Sequence, residues 1–267
     1  MRWYPSSMAS PTHIDTTLSG ATTRTSRPEF FSQGGPLSPD GAGYVERQAD
    51  ETVWNALQGR QYVNLTGAPK SGKTSLLLRL AKRLRDSDEP PVLAMIEIRQ
   101  LIEREGREDV ARCFYAIAFR LARQLRVGFD LQDWWADIAM LPHHLRFLEL
   151  FREFTLANPG KRLVLLFDDT GDLIRREEGE PLLTAIRLAF DARTTDPEMA
   201  RLSILFGSTG DAQFGVAASE KLPHEVSVRI QLESFTLGQT LRLEPALGFS
   251  REIAEFAMQR IYDWVAG

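Results

Sequence analysis

QYVNLTGAPKSGKTSLLLRLAKRL, residues 61–84, is the stretch from which the rest of the chain can be read. A short run with strand character, QYVNLT, meets a Gly- and Pro-containing loop, then a helix pattern whose Leu76, Leu77, Leu80 and Leu84 share one face. The loop, Gly67 to Thr74, fits G-x-x-x-x-G-K-[ST] at every fixed position and lies between strand and helix, as a phosphate cradle must. Gly67 and Gly72 stand where a Cβ would obstruct the backbone, so that successive N–H groups can converge on phosphate oxygens at the positive end of the helix. Lys73 adds a point charge at the terminal phosphates, and the Thr74 hydroxyl is a hard oxygen ligand suited to Mg²⁺. Gly67, Ala68, Pro69, Lys70, Ser71, Gly72, Lys73, Thr74 and Ser75 are therefore the candidate nucleotide-binding residues; Lys70 has no fixed role in the pattern and is expected to face solvent.

Outward from this loop the chain alternates. PVLAMIEI is a continuous apolar run bounded by Pro91 and charged residues, as in a strand buried on both faces of a parallel sheet. Helix patterns follow at about Asp109 to Val127, in LQDWWADIAM and from Pro142 to Leu156, a helical crossover or insertion. RLVLLF and LSILFG supply two more strands, and VSVRIQL alternates like an edge or half-covered fifth strand. TLGQTLRLEPALG and SREIAEFAMQRIYDWVAG read as two closing helices. Strands separated by helices predict a doubly wound α/β sheet with its ligand beyond the carboxyl ends of the strands.

A phosphate loop of this kind works with an apolar strand that ends in an acid near the metal. RLVLLFDD supplies one: Asp168 is the candidate metal acid beside Thr74, and Asp169 the candidate catalytic carboxylate that orients water, with Lys73 as its catalytic partner. Asp172 is expected to cap the following helix. In a sheet ordered 5-1-4-3-2 the tip of LSILFG, Ser208 and Thr209, lies where a polar group can sense a terminal phosphate.

The formal charge of -4 argues against a surface that coats nucleic acid, since such binding needs a basic face. The single Cys113, in ARCFYAIAF, reads as a buried structural thiol in a chain suited to a reducing cytoplasm. No apolar run approaches the roughly 20 residues of a membrane span. His143 and His144 lack neighbours at metal-ligand spacing, and of the adjacent Trp134 and Trp135 one is expected to be packed and one partly exposed. Arg193, Arg201 and Arg229 lie near sheet ends, and none is assigned as a catalytic arginine. Between Ser6 and Ser26, 11 of 21 residues are Ser or Thr, a composition too poor in apolar groups to offset its ordering entropy.

Taken together, GGPLSPDGAGYVERQADE, GAPKSGKT, FDLQDWW, LVLLFDD and the final D-W resemble the bacterial AAA-like domain of the STAND group, signal-transduction ATPases with numerous domains. The resemblance implies a three-layer P-loop NTPase fold with a five-stranded, mainly parallel sheet of the additional-strand type. Composition marks 1–28 as a disordered tail, and the resemblance, from about Glu29 onward, implies a core at 29–232 with a helical insertion around 107–158 and the beginning of a truncated helical lid at 233–267. It further implies an ATP- or ADP-bound, Mg²⁺-dependent cytoplasmic switch that self-associates or works with effector and sensor domains. Carried over by residue, Tyr44 and Arg47 of YVER would border the adenine, Lys73 and Thr74 would hold phosphate and Mg²⁺, and Asp168 would be the metal acid. Members often carry Asp-Glu where this chain has Asp168-Asp169, so slow hydrolysis is expected, or a module that binds nucleotide without turning it over.

Overall fold

Five strands carry the fold: β1 (Tyr62–Gly67), β2 (Val92–Glu97), β3 (Leu163–Asp168), β4 (Leu202–Thr209) and β5 (Ser227–Leu232). The computed structural model describes residues 30, 34–105, 110–171, 179–209 and 226–266. All strand pairs in these regions are parallel and the sheet order is β2-β3-β4-β1-β5, the order expected from sequence. The helices are α1 (Gln48–Gln58), α2 (Lys73–Arg85), α3 (Ile98–Glu105), α4 (Val110–Leu125), α5 (Leu131–Asp137), α6 (His143–Leu156), α7 (Glu180–Ala192), α8 (Leu237–Leu241) and α9 (Arg251–Ala266).

Strand alternation sorts the side chains into two cores. Leu163, Leu165 and Phe167 of β3 face one way with Ile204 and Phe206, into a cluster closed by Phe114, Ile117 and Leu121 of α4, Phe147, Phe151 and Phe154 of α6, and Ile186 of α7. Val164 and Leu166 face the other way with Val63, Leu65 and Leu205, against Val53 and Leu57 of α1 and Leu76, Leu77 and Leu80 of α2. Three layers result. The helices expected as a crossover or insertion supply one of those layers, because the apolar sides of α4 and α6 are what covers that sheet face.

The sequence patterns translate locally with few changes. Trp135 is buried and Trp134 half-buried, both within the aromatic packing around Phe147 and Phe129. Cys113 is half-buried against the same cluster rather than fully enclosed. The first closing helix divides: α8 is a five-residue helix with Thr236 and Gln239 in a capping box, followed by a separate 3-10 turn at Glu244–Leu247. Pro245, lacking an amide hydrogen, cannot extend the first helix, and Gly248 at φ 69° ends the turn. The cap expected of Asp172 lies outside the described residues. Among the described residues no helix is long and apolar enough to cross a membrane.

Candidate functional site

Because the chain runs from β1 outward to β2, returns through β3 and β4 and then passes β1 to reach β5, the winding reverses at β1. A crevice opens there beyond the carboxyl ends of the strands. The turn from β1 into α2 is Gly67–Gly72. Gly72 has φ 94°, a left-handed value that glycine tolerates, and a Cβ on Gly67 would lie 2.9 Å from Ser71 Oγ and 3.0 Å from the Leu232 carbonyl of β5. Lys70 also has positive φ and is exposed, as expected. The loop thus wraps toward the amino end of α2, and the cleft above it has a volume of about 760 Å³. Its lining includes Pro69 to Ser75, Tyr44, Arg47, Asp168, Asp169 and Thr209.

Lys73 and Thr74 form the first turn of α2. Lys73 Nζ folds back to donate to the carbonyls of Gly67 (3.0 Å) and Ala68 (2.8 Å). Burial pulls its pKa down, while the charges of Asp168 and Asp169 work in the opposite direction. Asp168 shares the strand parity of Val164 and Leu166, so its carboxylate points to the α2 side, where Thr74 Oγ1 donates to Oδ2 at 2.6 Å. Asp168 is 2% exposed, and burial raises its pKa against the bonds from Thr74 and from the Asp169 amide, which donates to Oδ1 at 2.9 Å. A buried carboxylate whose charge is disfavoured, with a hydroxyl on it and a cleft above, is a hard-oxygen donor set that fits Mg²⁺.

Asp169 breaks the strand. Its φ of 51° turns the side chain away from Asp168, and its Oδ2 meets Arg99 Nε at 2.9 Å. Arg99, in the first turn of α3, also lines the cleft. Sequence reading did not single it out: register places Glu97 opposite Asp168 at the sheet end, and only the pairing of β2 with β3 brings residue 99 to residue 169.

The remaining candidates divide. Thr209 lies beside Gly67 in register and lines the cleft, whereas Ser208 pairs with Thr66 and is half-buried. Tyr44 lines the cleft but directs its hydroxyl to Asp50 Oδ1 and its ring to Arg79, 4.8 Å away. Arg47 is 9% exposed; its Nη1 donates to the carbonyls of Ser71 (2.8 Å) and Glu233 (3.3 Å), and it stacks over Phe235 at 4.9 Å. Its guanidinium therefore ties the loop to the segment after β5. Ser75 accepts from the amide of Leu37 at 3.0 Å, anchoring the segment before α1 to α2. Arg193 bonds the Arg60 carbonyl over Tyr62, and Arg201 bonds the carbonyls of Thr155, Asn158 and Lys161; both belong to the far end of the sheet. His143 packs on Phe114, and no group of three or more metal-ligating side chains occurs among the described residues.

Known proteins resemble the chain in two ways, by sequence and by shape. An uncharacterized WD repeat-containing protein of Synechocystis is 24% identical over 249 residues, 89% of this chain; the chain spans only 20% of that protein's length. The Walker-type ATPase of Pyrococcus abyssi superposes with a TM-score of 0.55 at 14% identity, over 85% of this chain and 66% of its own. Two Aeropyrum pernix proteins are also similar. One is Orc2 with ADPNP and ADP (TM-score 0.51, 12% identity, 80% and 53% covered), the other Orc1 in complex with DNA (0.50, 16%, 78% and 51%). At such identities the likeness speaks for the fold, that of the P-loop ATPases. The profile of the AAA-like domain matches residues 32–267, nearly the whole chain, and the chain belongs to that family.

Proposed function

We propose that the cleft binds ATP together with Mg²⁺ and that the chain is a nucleotide-dependent switch module of the STAND type. The observation that carries this reading is the 2.6 Å bond from Thr74 to the buried Asp168 directly beneath the phosphate loop. Backbone N–H groups of Lys70 to Lys73 would cradle the phosphates, and Lys73 would leave the Gly67 and Ala68 carbonyls for them. Thr74 and Asp168 would hold Mg²⁺, which when bound neutralises charge on the phosphate oxygens. Asp169 would orient water for attack at the terminal phosphorus; the new P–O bond forms as the bond to the ADP oxygen breaks, giving ADP and inorganic phosphate. Tyr44 would border the base. Arg47 would act on nucleotide through the loop carbonyl that it holds.

Residues 29–232 would form the core and 233–267 the start of a helical lid, with 1–28 an appended tail. The WD-repeat relative, five times the aligned length, supports a place beside further domains that would act as sensor or effector; self-association is part of the same proposal. A net charge of -4 gives no support to a nucleic-acid role. A second reading, a module that holds nucleotide without hydrolysing it, is favoured by one feature: the Asp169 carboxylate is already engaged by Arg99.

Thermal unfolding with ATP, ADP or GTP in Mg²⁺ tests the main reading, using wild type and Lys73→Ala. Ligand at a hundred times its Kd stabilises by about 2.7 kcal/mol, which for a domain of this size is roughly 5–11 °C. The expectation is a shift with ATP and ADP that Lys73→Ala abolishes; no shift in wild type, or an equal shift in the variant, refutes it. Phosphate release by wild type and Asp169→Ala then separates hydrolysis from binding alone.

A further inference from the structure

Among the described residues, most of the large apolar side chains left open to solvent gather between Phe249 and Val265, on α9 and the turn before it. Ala254 and Met258 are buried where α9 packs on α8 and the 3-10 turn, and they occupy one margin of its apolar side. Phe249, Ile253, Phe256, Ile261, Trp264 and Val265 remain, from 43% exposed at Ile261 to 85% at Trp264. We infer that this face is an interface between two copies of the chain, with α9 packed antiparallel on the same helix of its partner about a two-fold axis at Ala257. The inference rests on the self-association in the functional reading and gives it a surface; it needs no nucleotide.

Spacing argues for a second copy as the occupant. Residues four apart lie along one ridge of a helix. Phe249, Ile253, Ala257, Ile261 and Val265 form such a row, its first member just ahead of the helix. The row reads alike from both ends, with the small, half-buried Ala257 at its middle, an isoleucine on each side and a further apolar group beyond each. Turned about Ala257, Ile253 meets Ile261 of the partner subunit and Phe249 meets Val265 of the partner subunit. This is an isologous contact in which one patch serves both copies, and a small central residue lets the two helices approach closely. Phe256 and Trp264 flank the ridge on the next row, with Arg260 between them; its stem can lie on apolar surface with the charged head at the rim.

Area and charge agree. With about 150–250 Å² for a whole aromatic side chain, the uncovered parts of these residues come to roughly 750 Å². That exceeds the largest apolar patch on a typical monomer, about 300–600 Å², and approaches the ~800 Å² that each partner gives to a standard interface. A lipid surface fits less well: α9 carries Arg251 and Arg260 against Glu252, Glu255 and Asp263, whereas a helix lying on an anionic bilayer presents a polar face rich in Lys and Arg.

Sedimentation equilibrium of the full chain from about 1 to 100 µM tests this, with wild type, Ile253→Lys, Ile261→Glu and the double variant. Both side chains are exposed, so the fold tolerates the changes. Wild type is expected to dimerise with a Kd below about 10 µM. Each single substitution sets a charge against an isoleucine across the axis and should weaken the dimer at least about tenfold. In the double variant the two new charges oppose each other with opposite sign, and part of the loss is recovered. Wild type that stays monomeric to about 100 µM, whether or not it binds lipid vesicles, overturns the inference and the self-association with it. A dimer that neither single substitution weakens overturns the α9 surface while self-association stands, and a double variant no better than the singles overturns the two-fold at Ala257. The rise in Tm with ATP and Mg²⁺, read on the same samples, is expected to be equal in all four proteins; its absence from wild type bears on the nucleotide reading alone.

Discussion

Replacing Arg47 with Met would cut the tie between the phosphate loop and the segment that leads to α8, and the structure allows its cost to be worked out. The substitution keeps the length of the stem and removes a charged donor to two carbonyls, Ser71 at 2.8 Å and Glu233 at 3.3 Å, together with the stacking on Phe235. Bonds from a charged donor are worth about 1.5–3 kcal/mol each, with the longer one at the low end, and a desolvated cation–π contact about 1–2 kcal/mol. Against this stands the relief of a buried cation whose Nε has no hydrogen-bond partner, about 1–3 kcal/mol. The net loss is about 2–4 kcal/mol, or roughly 4–16 °C in Tm. The start of α1 is spared, because Asp50 Oδ2 accepts from the Arg47 backbone amide, which Met retains. Urea unfolding gives the total, and hydrogen exchange locates it: protection should fall at residues 71–73 and 233–241 before it falls in β3 or β4. Arg47→Lys, with one donor point in place of a fork, should lie between. A loss below about 0.5 kcal/mol, the level of an ordinary surface change, would refute the idea that this guanidinium fastens the phosphate loop to the segment after β5.

Arg201→Met removes the donor to three carbonyls at the end of α6 and should cost about 3 kcal/mol; because that end of the sheet is remote from the cleft, the nucleotide-dependent rise in Tm should survive unchanged. Gly207→Ala would set a Cβ 3.0 Å from Asp168 Oδ1 and 3.3 Å from Leu77 Cδ1, an overpacking of about 1–3 kcal/mol, and titration should show Mg²⁺-dependent nucleotide affinity falling with it. Asp168→Asn should abolish Mg²⁺-dependent stabilisation and change the pH profile of the nucleotide-free protein. Burial raises the Asp168 pKa, so between its unfolded and folded values the folded state holds the extra proton and stability falls as pH rises. Melting curves from acid to neutral pH should therefore show the variant gaining on wild type as pH rises, and a difference constant with pH would contradict the assignment.

Much of this architecture is legible in the chain because its signals are local. Continuous apolar runs such as RLVLLF mark strands buried on both faces, and the loop pattern needs only adjacent residues to announce itself. What escapes is whatever depends on long side chains meeting backbone from elsewhere. Arg47 reads as a residue beside the base, yet its partners at Ser71 and Glu233 converge only after β1 and β5 have paired. Arg201 reads as one arginine among several, while its three carbonyl partners belong to the exit of α6. Helices α4 to α6 show amphipathic patterns, and sequence leaves open which surface they cover.

The two acids of LLFDD show where the boundary between legible and illegible falls. Strand alternation holds through Asp168, so the side on which it meets Thr74 follows from the same rule that sends Val164 and Leu166 toward α2. At Asp169 the backbone crosses to φ 51°, and alternation no longer says where the next side chain goes. An aspartate enters this region more readily than most residues, because its short polar side chain can bond locally. That freedom places its carboxylate against Arg99, on a different helix from the one that holds Asp168. Two adjacent acids of the same type are thereby placed differently: one is fixed to the hydroxyl beneath the phosphate loop, and the other is paired with Arg99 beyond the end of β2.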